Sequence, residues 1–147
     1  MEFIKKNKWE ILNIIGGVFL ALIPFVLVPV CPRMPNGKYM ACHYSGMIIT
    51  FAGIWMSLTG TMNIVIKNRK KFIVYISNII FLVLSYLIST GIINIFNNSK
   101  RGIKFGRCMV ETMACRVSTF PITDKLIFLF IFINLIALIW QFVGEKN

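Results

Sequence analysis

CPRMPNGKYMACHYS, residues 31–45, is a polar stretch between two long apolar runs, and its ending returns later in the chain. Met40-Ala41-Cys42-His43-Tyr44-Ser45 reappears as Met113-Ala114-Cys115-Arg116-Val117-Ser118, with four of six positions identical. An earlier cysteine precedes each copy, Cys31 before the first and Cys108 before the second. All four cysteines of the chain therefore sit in two related loops. Self-similarity of this kind points to two copies of one helical hairpin.

Outside these loops the chain is too apolar for water. Of its 147 residues 57% are hydrophobic, with a mean hydropathy of +0.76, against roughly 45–50% apolar residues in a soluble domain. The apolar residues also gather into runs. Ile11 to Val30 holds about 20 residues without a charge, enough to cross ~30 Å of hydrocarbon as a helix. Pro24 and Pro29 fall in its last third and predict a kink. Gly46 to Ile66 and Phe72 to Phe96 are the second and third runs, the third long enough to tilt. Leu126 to Val143 is the fourth, with Pro121 and Thr123-Asp124 read as a stop and an N-cap before it. Trp9, Glu10 and Trp140 mark interfaces. The first run is long for the apolar part of a signal peptide and lacks a small-x-small site after it, so it reads as a retained span. The expectation is an all-α integral membrane protein in one domain, residues 1–147. Repeat 1 covers about 9–66 and repeat 2 about 72–143, joined by the basic connection 67–71.

Sixteen Lys and Arg against five Asp and Glu give a net charge of +11. No basic helix with interleaved polar residues carries this charge, which excludes nucleic acid as a partner. It lies at chain ends and in connections, beside lipid head groups. Lys5, Lys6 and Lys8, with Lys67–Lys71, place both termini and the central connection in the cytoplasm. The two cysteine loops then face outward together, on an oxidising side. The abundance of Ile, Asn and Lys resembles a bacterial composition, which makes the location a bacterial plasma membrane.

Four cysteines allow three pairings, and the pseudo-symmetry chooses none of them. Local bridges, Cys31–Cys42 and Cys108–Cys115, close the shorter loops and are favoured, each worth about 2–4 kcal/mol. A redox role is the alternative, although the spacings are wider than the Cys-x-x-Cys of reactive pairs; Arg107, Arg116 and His43 stand ready to lower a thiol pKa. A Cys₄ metal site with His43 as a substitute, or haem on His43 and a methionine, is the lesser alternative. His43 is replaced by Arg116 in the second copy. What the pair shares is a polar donor, which suggests contact with a partner or head group, as does Arg107. Gly53, Ser57 and Thr61, with Gly60, form a small-residue stripe suited to helix packing.

The runs contain no Asp, Glu, Lys, Arg or His, which argues against a pump or secondary transporter. There is no Gly-rich phosphate loop either. Cys31 with Met40-x-Cys42-His43-x-Ser45, and Cys108 with Met113-x-Cys115-Arg116, resemble a small four-span bacterial membrane family of unknown function, DUF 4418. That resemblance covers nearly the whole chain and transfers no catalytic residue. It implies a setting beside ABC transporters of the MacB/FtsX type. The resulting expectation is a non-enzymatic companion subunit without a cofactor or bound metal. Its partners are the lipid bilayer and an ABC-type exporter or permease, or further copies of itself. A membrane thiol–disulfide oxidoreductase is the second reading. Topology is directly testable: reporters fused to either terminus should be accessible only from the cytosol, and labelling from outside sealed cells would reverse the assignment.

Overall fold

Pro24 shapes the first helix. Proline has no N–H to donate and its ring crowds the carbonyl four residues back, so the ordinary ladder cannot continue through it. In the computed structural model, which describes residues 7–31, 39–65, 71–92, 105–108, 112–113 and 115–144, α1 runs from Lys8 to Leu22 and then widens into a π turn, Ile23–Leu27. The freed carbonyls find later donors: Val28 donates its N–H to Ile23 at 2.9 Å, and Val30 to Pro24 at 2.8 Å. The helix thus ends by loosening, and it delivers Cys31 just beyond.

Three further helices follow. α2 is Ala41–Val65, and α3 is Lys71–Ser89. A π turn, Cys115–Thr119, leads directly into α4, Phe120–Gly144. All the regular structure among the described residues is helical, and all four helices are long and apolar enough to cross a membrane. The boundaries differ from the hydropathy reading. α2 starts five residues before Gly46, so Cys42, His43 and Ser45 belong to its first turns. α3 stops at Ser89, where Gly91 turns into the left-handed region with φ 79°. Thr123-Asp124 is not an N-cap: Thr123 lies inside α4, with its hydroxyl on the carbonyls of Thr119 and Phe120, 3.0 Å from each. α2 and α4 thus begin before their apolar runs, whereas α3 stops short of the end of its own. The turn residues Pro32, Pro35 and Asn36-Gly37, the basic connection 67–70, and residues 93–104 lie outside the described residues.

Each helix lies antiparallel to the next. Gly17 meets Gly53, while Ile14 meets Gly60. Thr59 donates to Asn78 at 2.7 Å, and Tyr86 packs on Phe128. α4 returns to α1, where Asn13 and Asn134 exchange amide hydrogen bonds at 3.2 and 3.3 Å. Cys31, Cys42, Cys108 and Cys115 consequently meet at one end of the bundle.

The outside of this bundle is oilier than its inside. Ile15, Val26, Phe51, Ile80, Phe132 and Trp140 are exposed, while Asn13, Asn63, Asn78 and Asn134 are each at most 1% exposed. One carboxamide comes from each helix. Side chains of this kind prefer a helix neighbour to hydrocarbon, and the apolar exterior needs lipid rather than water around it. Hydrocarbon supplies little drive for helix association, so backbones must approach closely. A Cβ on Gly17 would lie 2.6 Å from the Gly53 carbonyl oxygen and 2.6 Å from the Ser57 nitrogen. A Cβ on Gly53 would lie 2.5 Å from the backbone of Gly17 and Ala21. Of the expected packing stripe, Gly53, Ser57 and Gly60 face α1. Thr61 does not; it is exposed and donates to the Ser57 carbonyl on its own helix at 3.0 Å. Four-residue spacing drifts around a helix of 3.6 residues per turn, and two steps carry Thr61 off the contact. Gly17→Ala is expected to force α1 and α2 apart and cost about 1–3 kcal/mol. Thr61→Ala should be neutral; thermal unfolding in detergent compares the two.

Candidate four-thiol site

The site is assembled by four segments that approach from different directions. Cys31 follows the π turn of α1, Cys42 sits in the first turn of α2, Cys108 ends the short stretch 105–108, and Cys115 opens the π turn before α4. Both repeated motifs fold the same way locally. His43 donates its N–H to the Met40 carbonyl at 3.0 Å, and Arg116 donates to Met113 at 2.9 Å. Each turn starts a helix and points its cysteine inward.

The four sulfurs converge. Sγ of Cys115 lies 2.7 Å from Cys108 and 2.9 Å from Cys31, and Cys31 lies 3.6 Å from Cys108. All four ligand atoms, Cys42 included, fall within 4.8 Å of one another. They stand as free cysteines, so the geometry leaves each of the three disulfide pairings within reach and singles out none. Cys42 and Cys115 are fully buried, Cys108 nearly so, and Cys31 is partly exposed. Desolvation pushes the Cys31 thiol up. Hydrogen bonds from Cys115, Cys108 and Cys42 outweigh it and hold the thiol below its ordinary range. For Cys108 burial raises the pKa strongly and the neighbouring thiols add to the rise.

Two hydrogen-bonded ties fix the segments that carry the sulfurs. Ser45, three residues after Cys42, bonds both ways with Gly106, two residues before Cys108: its hydroxyl accepts the Gly106 N–H at 2.9 Å and lies 3.1 Å from the Gly106 carbonyl oxygen. Thr119, four residues after Cys115, donates to the carbonyl of Val28 at 3.0 Å, three residues before Cys31. Each tie joins a segment of the first loop region to one of the second. Met113 adds its thioether 3.9 Å from Cys31 Sγ.

The polar residues that sequence analysis singled out have protein partners. Arg116 donates to the Cys108 carbonyl at 3.1 Å. Arg107 forms an ion pair with Asp124 and lies over the Phe120 ring, 5.7 Å from its centroid. His43 stacks on Tyr39 at 4.1 Å and meets Phe25 edge-on at 5.3 Å. At the opposite end is a cluster that hydropathy concealed. Glu10, read as an interface marker, is buried inside α1 and pairs with Lys71 at 2.7 Å, with Tyr75 hydrogen-bonded to it. Its signal was a lone acid at the edge of an apolar run, which reads equally well as solvent-facing.

A four-helix bundle with an apolar exterior and a thiol cluster at one end defines a polytopic membrane protein with one sulfur-rich centre. Within that class, the chain belongs to the family described as "Domain of unknown function (DUF4418)", which matches residues 13–140. No curated protein and no solved structure matches it. In the reduced, chelator-treated protein, Cys31 should be the first thiol alkylated, because it alone among the four is only partly buried. Peptide mass mapping over a time course checks this, with Cys42 and Cys115 reacting last.

Proposed function

We propose that the chain is a non-enzymatic companion subunit of a bacterial membrane complex, with an ABC-type exporter or permease as its partner. In this reading two repeated hairpins keep both termini in the cytoplasm of a plasma-membrane protein and turn the thiol end outward. One observation carries it: the chemistry of the chain is closed on itself. Three of the four thiols are buried, and the four contact one another. The ionisable groups of the helices sit at helix ends, so no charged path runs through the bundle. A thiol cluster buried to this extent serves shape. The exposed apolar faces of all four helices then supply surface for a membrane partner as well as for lipid.

A second reading rests on the part-exposed Cys31. Its sulfur is 2.9 Å from Cys115, which is 2.7 Å from Cys108, so exchange at the surface could pass inward by successive thiolate attack. This is the arrangement a membrane thiol–disulfide oxidoreductase needs. Gentle-detergent purification after cross-linking in cells separates the two. The companion role predicts stoichiometric capture of a transporter subunit and no mixed disulfide through Cys31. The oxidoreductase role predicts instead a mixed disulfide trapped through Cys31 in the Cys115→Ser variant and oxidation coupled to added quinone.

A further inference from the structure

The four sulfurs enclose a point. A chain of exchange partners would need only successive neighbours, and two bridges would need two separate pairs. Here every sulfur lies within 4.8 Å of the other three. A tetrahedral tetrathiolate ion has metal–sulfur bonds of about 2.3 Å and so sulfur–sulfur edges of about 3.8 Å. The Cys31, Cys108 and Cys115 sulfurs, 2.7 to 3.6 Å apart, would have to spread by up to about an ångström, and any pair at the 4.8 Å limit would have to close by as much, both within the reach of small side-chain rotations.

From this geometry we infer that Cys31, Cys42, Cys108 and Cys115 form a closed binding site for a single zinc ion. The site has the features of a structural centre. Four ligands fill a tetrahedral shell and leave no open position. The ties Ser45–Gly106 and Thr119–Val28 hold all four ligand-bearing segments in place, as outer-shell hydrogen bonds do around metal sites. Arg116, whose guanidinium rests on the Cys108 carbonyl, brings positive charge to the rim. Binding replaces each S–H proton by a bond to the metal and releases those protons to solvent; no electron is transferred. Charge selects the ion within the thiophilic d¹⁰ class. Four thiolates leave a net −2 with Zn²⁺ and −3 with Cu⁺, and buried surroundings disfavour the larger charge. Met113 lies against Cys31 as a packing neighbour, outside the four-sulfur shell.

This inference deepens the companion reading, because the ion would be what closes the thiol end, yet the two fail separately. Partner capture tests the companion role whatever the metal content. For the metal, the full-length protein is purified in detergent without chelator, and zinc is measured by mass spectrometry alongside thiol alkylation. The expected result is about one zinc per chain, with the thiols shielded until a strong chelator is added. After removal of zinc, Co²⁺ should give the visible bands of a tetrahedral tetrathiolate. Cys31→Ser should lose the zinc. Ser45→Ala, which keeps every thiol, should weaken zinc binding about 10–100-fold. Two disulfides in the freshly isolated protein would overturn the inference. So would a reduced protein that takes up neither Zn²⁺ nor Co²⁺, or one that isolates with copper or iron instead.

Discussion

At one end of the bundle, sulfur atoms from four separate segments come together within 4.8 Å, and the rest of the fold is arranged to allow it. α1 must loosen at Pro24 and end before Cys31. α2 and α4 must each begin at a repeated Met-Ala-Cys turn. α3 must end at Ser89, with Gly91 turning beside Gly106, two residues before Cys108. The demand is severe because hydrocarbon gives helices little reason to associate. Away from the thiol end the two hairpins meet along α2–α3, where Thr59 donates to Asn78 and Trp55 stacks on Phe81, and along a slighter α1–α4 seam made by the Asn13–Asn134 amides and Phe130 against Gly16. The sulfur cluster with its two hydrogen-bonded ties joins the halves at the other end.

The two ends of the bundle solve the same problem with different chemistry. At the thiol end, soft and weakly polar groups are packed together and need few hydrogen bonds. In the other half, each helix buries a carboxamide, and Glu10 is matched by Lys71 and Tyr75. Asn63 is fully buried, and neither of its amide atoms has a partner among the described residues. Between the two regions lies the Gly17–Gly53 crossing, where the backbones of α1 and α2 touch. Buried polar contacts at one end, close backbone packing in the middle and sulfur contacts at the other each substitute for the hydrophobic drive that lipid removes.

Much of this was legible in the residues. Hydropathy located four spans, because a run of about 20 apolar residues has few other uses. The count of four spans put both cysteine loops on one face, and the antiparallel bundle brings the four cysteines together at one end. Helix ends were less legible. Hydropathy reports where lipid ends, whereas a helix stops where its backbone conformation must change. Hence α2 runs on through Tyr44, His43 and Cys42, whose polar groups find neighbours at the bundle mouth. Gly91 gave α3 an earlier stop than its hydropathy. Packing was half visible: the Gly53–Gly60 stripe was evident, while its counterpart Gly16-Gly17 lay in a run read only for length. Convergence of the thiols was not readable from spacing at all. Intervals of 11 and 7 residues describe two loops and contain nothing about the distance between them.

That distance is the center of the account, and pairwise cross-linking measures it. Full-length variants that each retain two of the four cysteines, the others replaced by serine, would be oxidised briefly in membranes with a mild oxidant. The structure predicts an intramolecular disulfide in every variant, including Cys31 with Cys115 and Cys42 with Cys108. Bridges confined to Cys31–Cys42 and Cys108–Cys115 would mean that the two loops never meet, and would contradict it.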